Sequence, residues 1–141
     1  STLRHTLFPY TTLFRSTHIC STTRQGKFCV RRKTMAKKTR AKLAALTVEF
    51  RRRLHRPIHE TGQWLKSVLE GHYRYYGVPR NYSALNSFRY HVLQLWRRTL
   101  RRRSDKKKQV TWARMQQLAD RWLPKARIVH PYPDKRLCVK T

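Results

Sequence analysis

Between Tyr76 and Ser104 the chain reads YGVPRNYSALNSFRYHVLQLWRRTLRRRS, an apolar stripe that runs into a burst of arginine. Leu85, Phe88, Val92, Leu95 and Trp96 recur at steps of three and four, so they share one face of a helix. Arg97, Arg98 and Arg101 point elsewhere. Arg102 and Arg103 fall at the end, where cations suit the negative pole of the helix dipole. Such a segment packs on protein with one side and offers positive charge with the other.

The rest of the chain repeats that division. Lys and Arg number 34 against 6 acidic residues, a net charge of +28 on 141 residues. A folded surface of this kind repels itself and calls for a polyanion, of which nucleic acid is the foremost candidate. Hydrophobic residues make up 39%, with 4 Trp, 7 Tyr and 5 Phe, enough for the core of one modest domain rather than a disordered basic tail. No apolar run reaches the roughly 18 residues that a membrane-spanning helix needs. The first residues lack the charged, apolar and small-residue succession of a signal peptide. Cys20, Cys29 and Cys138 are odd in number and widely spaced, with no C-x-x-C, so reduced thiols are expected and no zinc site.

Residues 1–16, STLRHTLFPYTTLFRS, have no helical period and no acidic residue. They resemble translated sequencing-adapter read-through and are expected to be an artefactual or unstructured extension. From Thr17 the pattern changes. THIC (17–20) and KFCVR (27–31) are β-prone runs around a loop containing Gly26, which predicts a hairpin over 17–34. A first helix follows, with Leu43, Leu46, Thr47, Phe50 and Leu54 on one face, Lys37, Lys38 and Arg52 opposite, and Pro57 as its stop. A second helix starts near Glu60 or Thr61. Its buried side carries Trp64, Leu65, Val68, Leu69, His72 and Tyr75 or Tyr76, and Gly77-Val78-Pro79 breaks it. Asn81 is placed to N-cap the third helix. After a charged loop at 104–109, Thr111 caps a fourth helix with Trp112, Met115, Leu118, Ala119 and Trp122 on its face, and Pro124 stops it. The expected class is mainly α: a short N-terminal hairpin, a three- to four-helix bundle over 35–125, and an extended tail over 126–141.

The motifs THIC and GKFCVRRKT (17–34), RAKL, RRRLHRPI and GQWLKSVLEGHYRYYGVPRN (40–81), SFRYHVLQLWRRTLRRRS (87–104) and TWARMQQLADRWLPKARIVHPYP (111–133) are specific in combination. With them, residues 17–137 closely resemble the C-terminal end of bacterial group II intron-encoded reverse transcriptase/maturases. The resemblance implies the end of the palm's primer-grip hairpin followed by the thumb, also called domain X or the maturase-specific domain. It implies partners: structured intron RNA, an RNA/DNA template–primer duplex, and the palm of the intact protein. It also implies a bacterial cytoplasmic, RNA-associated location. The departures are as informative. The polymerase signature Tyr-Ala-Asp-Asp is absent, and Leu-Phe-Arg-Ser (13–16) stands where the family has Phe-Leu-Gly-Phe. The acids Glu49, Glu60, Glu70, Asp105, Asp120 and Asp134 are scattered, with no pair to hold two metal ions for phosphoryl transfer. The chain is therefore read as a fragment expected to polymerise nothing by itself. Mg²⁺ is expected only in the missing palm, and no other cofactor is implied.

RNA presents phosphates, 2′-hydroxyls and splayed bases. Three cationic groups are candidates for the phosphates: Arg31, Arg32, Lys33, Lys37, Lys38 and Arg40; Arg51, Arg52 and Arg53; and Arg97, Arg98, Arg101, Arg102 and Arg103. Arginine predominates in the last two, where its planar fork suits bidentate contact. Tyr73, Tyr75, Tyr76, Tyr82 and Tyr90 lie among basic residues and offer rings for stacking, but aromatics at helical spacing are expected at the core or its edge, as are Trp64, Trp96, Trp112 and Trp122. His59, His72 and His91 have no evident carboxylate partner and are read as structural or surface groups rather than a nucleolytic pair. Two other readings stay open: a stand-alone basic RNA-binding or ribosome-associated protein, and a helical DNA-binding module. Base readout draws on residues near the start of a recognition helix, whereas arginine here crowds the end. If about seven phosphates are neutralised, the log–log salt slope of RNA affinity lies at about −5 to −6. A filter-binding titration across salt measures it, and a slope near zero would refute phosphate contact.

Overall fold

The computed structural model describes residues 16–103 and 110–131. Residues 1–15 of the expected extension, the loop at 104–109, most of the tail and Cys138 lie outside the described residues, as do the side chains of residues 16–18 and Arg32; Ser16, expected in the extension, pairs instead in the hairpin opposite Thr34. The order is β1 (Ser16–Thr22), β2 (Phe28–Thr34), α1 (Ala36–Arg52), α2 (Ile58–Tyr76), α3 (Tyr82–Arg103) and α4 (Trp112–Trp122). The chain is mainly helical with an N-terminal antiparallel hairpin, as its periodicity predicts.

β1 and β2 pair from Ser16 opposite Thr34 to Thr22 opposite Phe28. Gly26 closes the turn at φ +76°, a left-handed conformation that glycine adopts without steric cost. Its amide donates to the Thr23 carbonyl at 3.0 Å. The hairpin contributes little to the core: Ile19, Phe28 and Val30 are exposed. Its link to the bundle runs through Asn81. The Asn81 carboxamide accepts from the Thr34 amide at 3.1 Å and donates to Thr34 Oγ1 at 2.8 Å and to the Tyr76 carbonyl at 2.8 Å. Asn81 does stand immediately before α3, and its carbonyl accepts from Leu85 N. Its side chain, however, latches the hairpin instead of capping the helix that follows.

α1 ends at Arg52, earlier than Pro57 suggests, because Arg53 to Arg56 form a turn with Arg56 N bonded to the Arg53 carbonyl. Leu54 therefore lies beyond the helix. Pro57 begins α2 instead, its carbonyl accepting from Thr61 N. The buried side of α2 is Thr61, Gly62, Leu65, Leu69, His72 and Tyr73. Tyr73, four residues after Leu69, takes the place expected for Tyr75 or Tyr76; Tyr75 is exposed and Tyr76 half-buried. Thr111 caps α4 as expected, its hydroxyl accepting from Arg114 N.

α3 is the centre of the bundle. It packs on α1, α2 and α4, and its Leu85, Phe88, Val92, Leu93 and Trp96 are buried. Leu46 and Phe50 meet them from α1, Leu65, Leu69 and Tyr73 from α2, and Met115 and Ala119 from α4. Gly62 lets α4 approach α2, because a Cβ there would stand 2.6 Å from the Trp122 ring. The segment after α4 folds back. Tyr73 Oη donates to the Pro124 carbonyl at 2.8 Å, Arg89 Nε donates to the same oxygen at 3.2 Å, and the Val129 and His130 amides both donate to the Gly77 carbonyl. Burial pushes the Tyr73 hydroxyl up to about 12, against the opposing pull of Arg89.

His72 is buried and stacks on Phe88 with ring centroids 3.8 Å apart. Desolvation, assisted by the nearby Lys42 cation, lowers its pKa from 6.5 to about 4. Between those values the unfolded chain binds a proton that the native state refuses. Stability is therefore lost as pH falls from about 6.5 towards 4, by up to about 3 kcal/mol. Denaturant titrations at pH 7 and pH 4.5 test this, and His72→Phe is expected to remove that component.

Candidate nucleic-acid interface

The structure divides the candidate cations into two kinds. Four are engaged within the protein. Arg52 pairs with Glu49 at 2.9 Å, and Arg53 pairs with the same carboxylate at 3.7 Å while its guanidinium lies 4.6 Å over the Trp64 ring. Arg97 Nε donates to the Val110 carbonyl at 3.4 Å and its guanidinium lies over Trp112. Arg103 donates to the Arg56 carbonyl at 2.7 Å. These contacts tie α1 to α2 and α3 to the segments before α2 and α4. As phosphate ligands, these four are the weaker candidates, since binding would first have to break or share their contacts.

Arg31, Lys33, Lys37, Lys38, Arg40, Arg51, Arg98, Arg101 and Arg102 make no ion pair or side-chain hydrogen bond among the described residues. All nine are exposed. They are held out by rigid elements: the hairpin's second strand, both ends of α1 and the last two turns of α3.

Helix packing gathers two subsets that are remote in sequence. Arg51 at the end of α1 and Arg98 and Arg102, one turn apart on α3, line a single cleft of about 180 Å³. Phe50, Leu54 and Leu95 supply its apolar lining, and Thr47 and Thr99 line it too. A wider groove of about 580 Å³ lies between the start of α1 and the end of α2. Lys38 and Lys42 line it with Thr34, His72, Tyr75 and Tyr76. Lys42 was not among the residues singled out from the sequence. Its spacing of four from Lys38 on one helix was the available signal.

The aromatic expectation holds for some residues and fails for others. Tyr73 and Trp96 are fully buried, and Trp64, Trp112 and Trp122 are half-buried against the core. Tyr75, Tyr82 and Tyr90 are exposed at 42%, 51% and 48%, so they are surface rings rather than core. Tyr90 meets Trp112 edge-on at 5.8 Å. The histidines do not converge. His72 is in the core, His59 is exposed, and His91 Nδ1 lies 2.7 Å from its own helix's Ser87 carbonyl. Cys20 and Cys29 are free thiols on opposite faces of the hairpin. No group of three or more His, Cys, Asp or Glu that could hold a metal ion occurs among the described residues. No helix among them is long and apolar enough to cross a membrane.

Comparisons with known protein families, with curated proteins and with solved structures gave no match.

Burial and charge therefore separate two roles along α3. Trp96→Ala is expected to destabilise the fold by ~3–5 kcal/mol through the cavity it leaves. Arg98→Ala is expected to leave the melting temperature within about 2 °C of wild type while weakening RNA binding. Thermal melts beside RNA titrations of both variants check the division, and equal destabilisation would refute it.

Proposed function

We propose that this chain binds structured RNA through its helical surface, in the manner of the thumb, or maturase-specific domain, of the group II intron reverse transcriptase/maturases that its sequence resembles. In that role it grips the intron's own RNA during splicing and supports an RNA/DNA template–primer duplex beside a polymerase palm, in the bacterial cytoplasm. The observation that carries the reading is the set of exposed cations without internal counter-charge on α1 and α3. Guanidinium groups on rigid helices match phosphate oxygens geometrically and lose little order on binding.

The hairpin supports the palm contact in this reading. Phe28 is exposed at 71%, and Val30, two residues on and on the same face of the hairpin, is exposed beside it. An apolar edge of this kind is suited to packing against another domain. Catalysis of polymerisation is assigned to that palm, which would supply its own paired carboxylates and Mg²⁺.

Against duplex DNA the argument is positional. The cations crowd the end of α3, whereas the exposed residues of its first turns include Tyr82, Ser83, Asn86 and Ser87. That arrangement favours backbone contact over base reading in a major groove. Fluorescence anisotropy with a structured intron RNA and a duplex DNA of equal length tests it. The expected outcome is RNA binding at least about tenfold tighter at physiological salt. Equal affinity would leave only a non-specific polyanion binder, and a preference for DNA would favour the DNA-binding reading.

A further inference from the structure

We infer that the α1/α3 cleft is a pocket for one unpaired nucleotide of the bound RNA, its base against the apolar lining and its flanking phosphates on Arg51, Arg98 and Arg102. The inference rests on the RNA-binding reading and specifies what part of the RNA this surface takes. Three features of the cleft converge on it.

The first is chemical duality. Phe50, Leu54 and Leu95 give the cleft an apolar lining, and Arg51, Arg98 and Arg102 line the same cleft with cationic side chains. A nucleotide has the same two halves, a flat ring of low polarity on its faces and an anionic backbone on either side. A paired helix does not fit this description, because its bases are stacked inside and only its phosphates reach out.

The second is charge. Among the described residues no carboxylate lines the cleft, and none of the three arginines has an ion pair or side-chain hydrogen bond. Three cations around one small opening repel one another, so an anion between them relieves a cost that the free protein carries. Glu49, the acid nearest Arg51 in sequence, is already engaged by Arg52 and Arg53, and Asp105, nearest Arg102, lies outside the described residues.

The third is size. At about 180 Å³ the cleft is smaller than the ~300–1,000 Å³ typical of sites for larger ligands. It has room for a single ring system and not for a run of stacked bases. Thr47 and Thr99 line it too, but their hydroxyls already donate to the Leu43 and Leu95 carbonyls of their own helices. Donation inward leaves these hydroxyls as acceptors only, a sparse code for one base, so the pocket distinguishes unpaired from paired RNA more than it distinguishes sequence.

The test compares two RNA hairpins of equal length and charge, one fully paired and one with a single-nucleotide bulge carrying 2-aminopurine. The bulged RNA is expected to bind about tenfold tighter, with a change in 2-aminopurine fluorescence. Thr47→Phe fills the cleft without altering charge and is expected to abolish both effects while leaving affinity for the paired hairpin unchanged. If that variant does not fold, Thr99→Leu fills the cleft from α3. Equal binding of the two hairpins by wild type would overturn the pocket and leave RNA binding standing. A bulge preference that survives the fillings would also overturn it. Binding of neither hairpin would overturn the RNA reading itself.

Discussion

The scarcity of carboxylates governs how this protein is put together. With 34 cations and 6 acids, most guanidiniums cannot be satisfied by ion pairs. The other acceptors a helical protein offers are the unpaired carbonyls at helix ends, which also carry the negative pole of the dipole. Arg89 uses them most fully. From the middle of α3 it reaches the carbonyls of Ala119, Leu123 and Pro124, so one cation closes the end of α4 and holds the returning chain. Arg103 does the same for the turn after α1, through the Arg56 carbonyl. Where neither acid nor carbonyl is engaged, a tryptophan face substitutes, as Trp122 does for Arg121, and for Arg53 the Trp64 face adds to the Glu49 carboxylate. The three ion pairs among the described residues all join residues three or four apart in sequence and add little to tertiary order.

The candidate interface follows from what this internal use leaves over. Cations at junctions are drawn inward by carbonyls and rings; cations on open helix faces are not. The result is a surface whose charge is held by a packed core instead of by a flexible tail. α3 carries both assignments at once. Its inner residues bind three other helices together, and its outer arginines stand one turn apart beside α1. A ligand on that surface meets an arrangement already fixed by Phe88, Val92 and Trp96, so little order remains to be lost on binding.

Much of the architecture was legible from spacing. The stripe from Leu85 to Trp96, the faces of the other helices, the Gly26 turn and the Thr111 cap are local patterns, and local rules read them correctly. What escaped was decided by residues far apart in the chain. Asn81 looked like a cap because it precedes a helix, yet its partner is Thr34, 47 positions away. Tyr73 displaced its neighbours from the core because its hydroxyl reaches Pro124, 51 positions on. Arg53, Arg97 and Arg103 looked like free cations until the fold brought a ring or a carbonyl to each. For the same reason no linear pattern united Arg51 with Arg98 and Arg102; only the packing of α1 against α3 does so.

The Asn81 latch has a direction. Towards Thr34 its carboxamide accepts one hydrogen bond and donates another, and a third goes to the Tyr76 carbonyl from the same nitrogen. A carboxylate of identical shape has two acceptors and no donor. Loss of that one nitrogen as ammonia, when the Tyr82 backbone nitrogen attacks the side-chain carbonyl and the resulting cyclic imide is hydrolysed, would set a negative charge against the Tyr76 carbonyl inside the joint. The hairpin's attachment is thus the place where this molecule would record chemical wear. The three hydrogen bonds that hold the buried carboxamide, by keeping it from turning onto that nitrogen, are also what slows that clock.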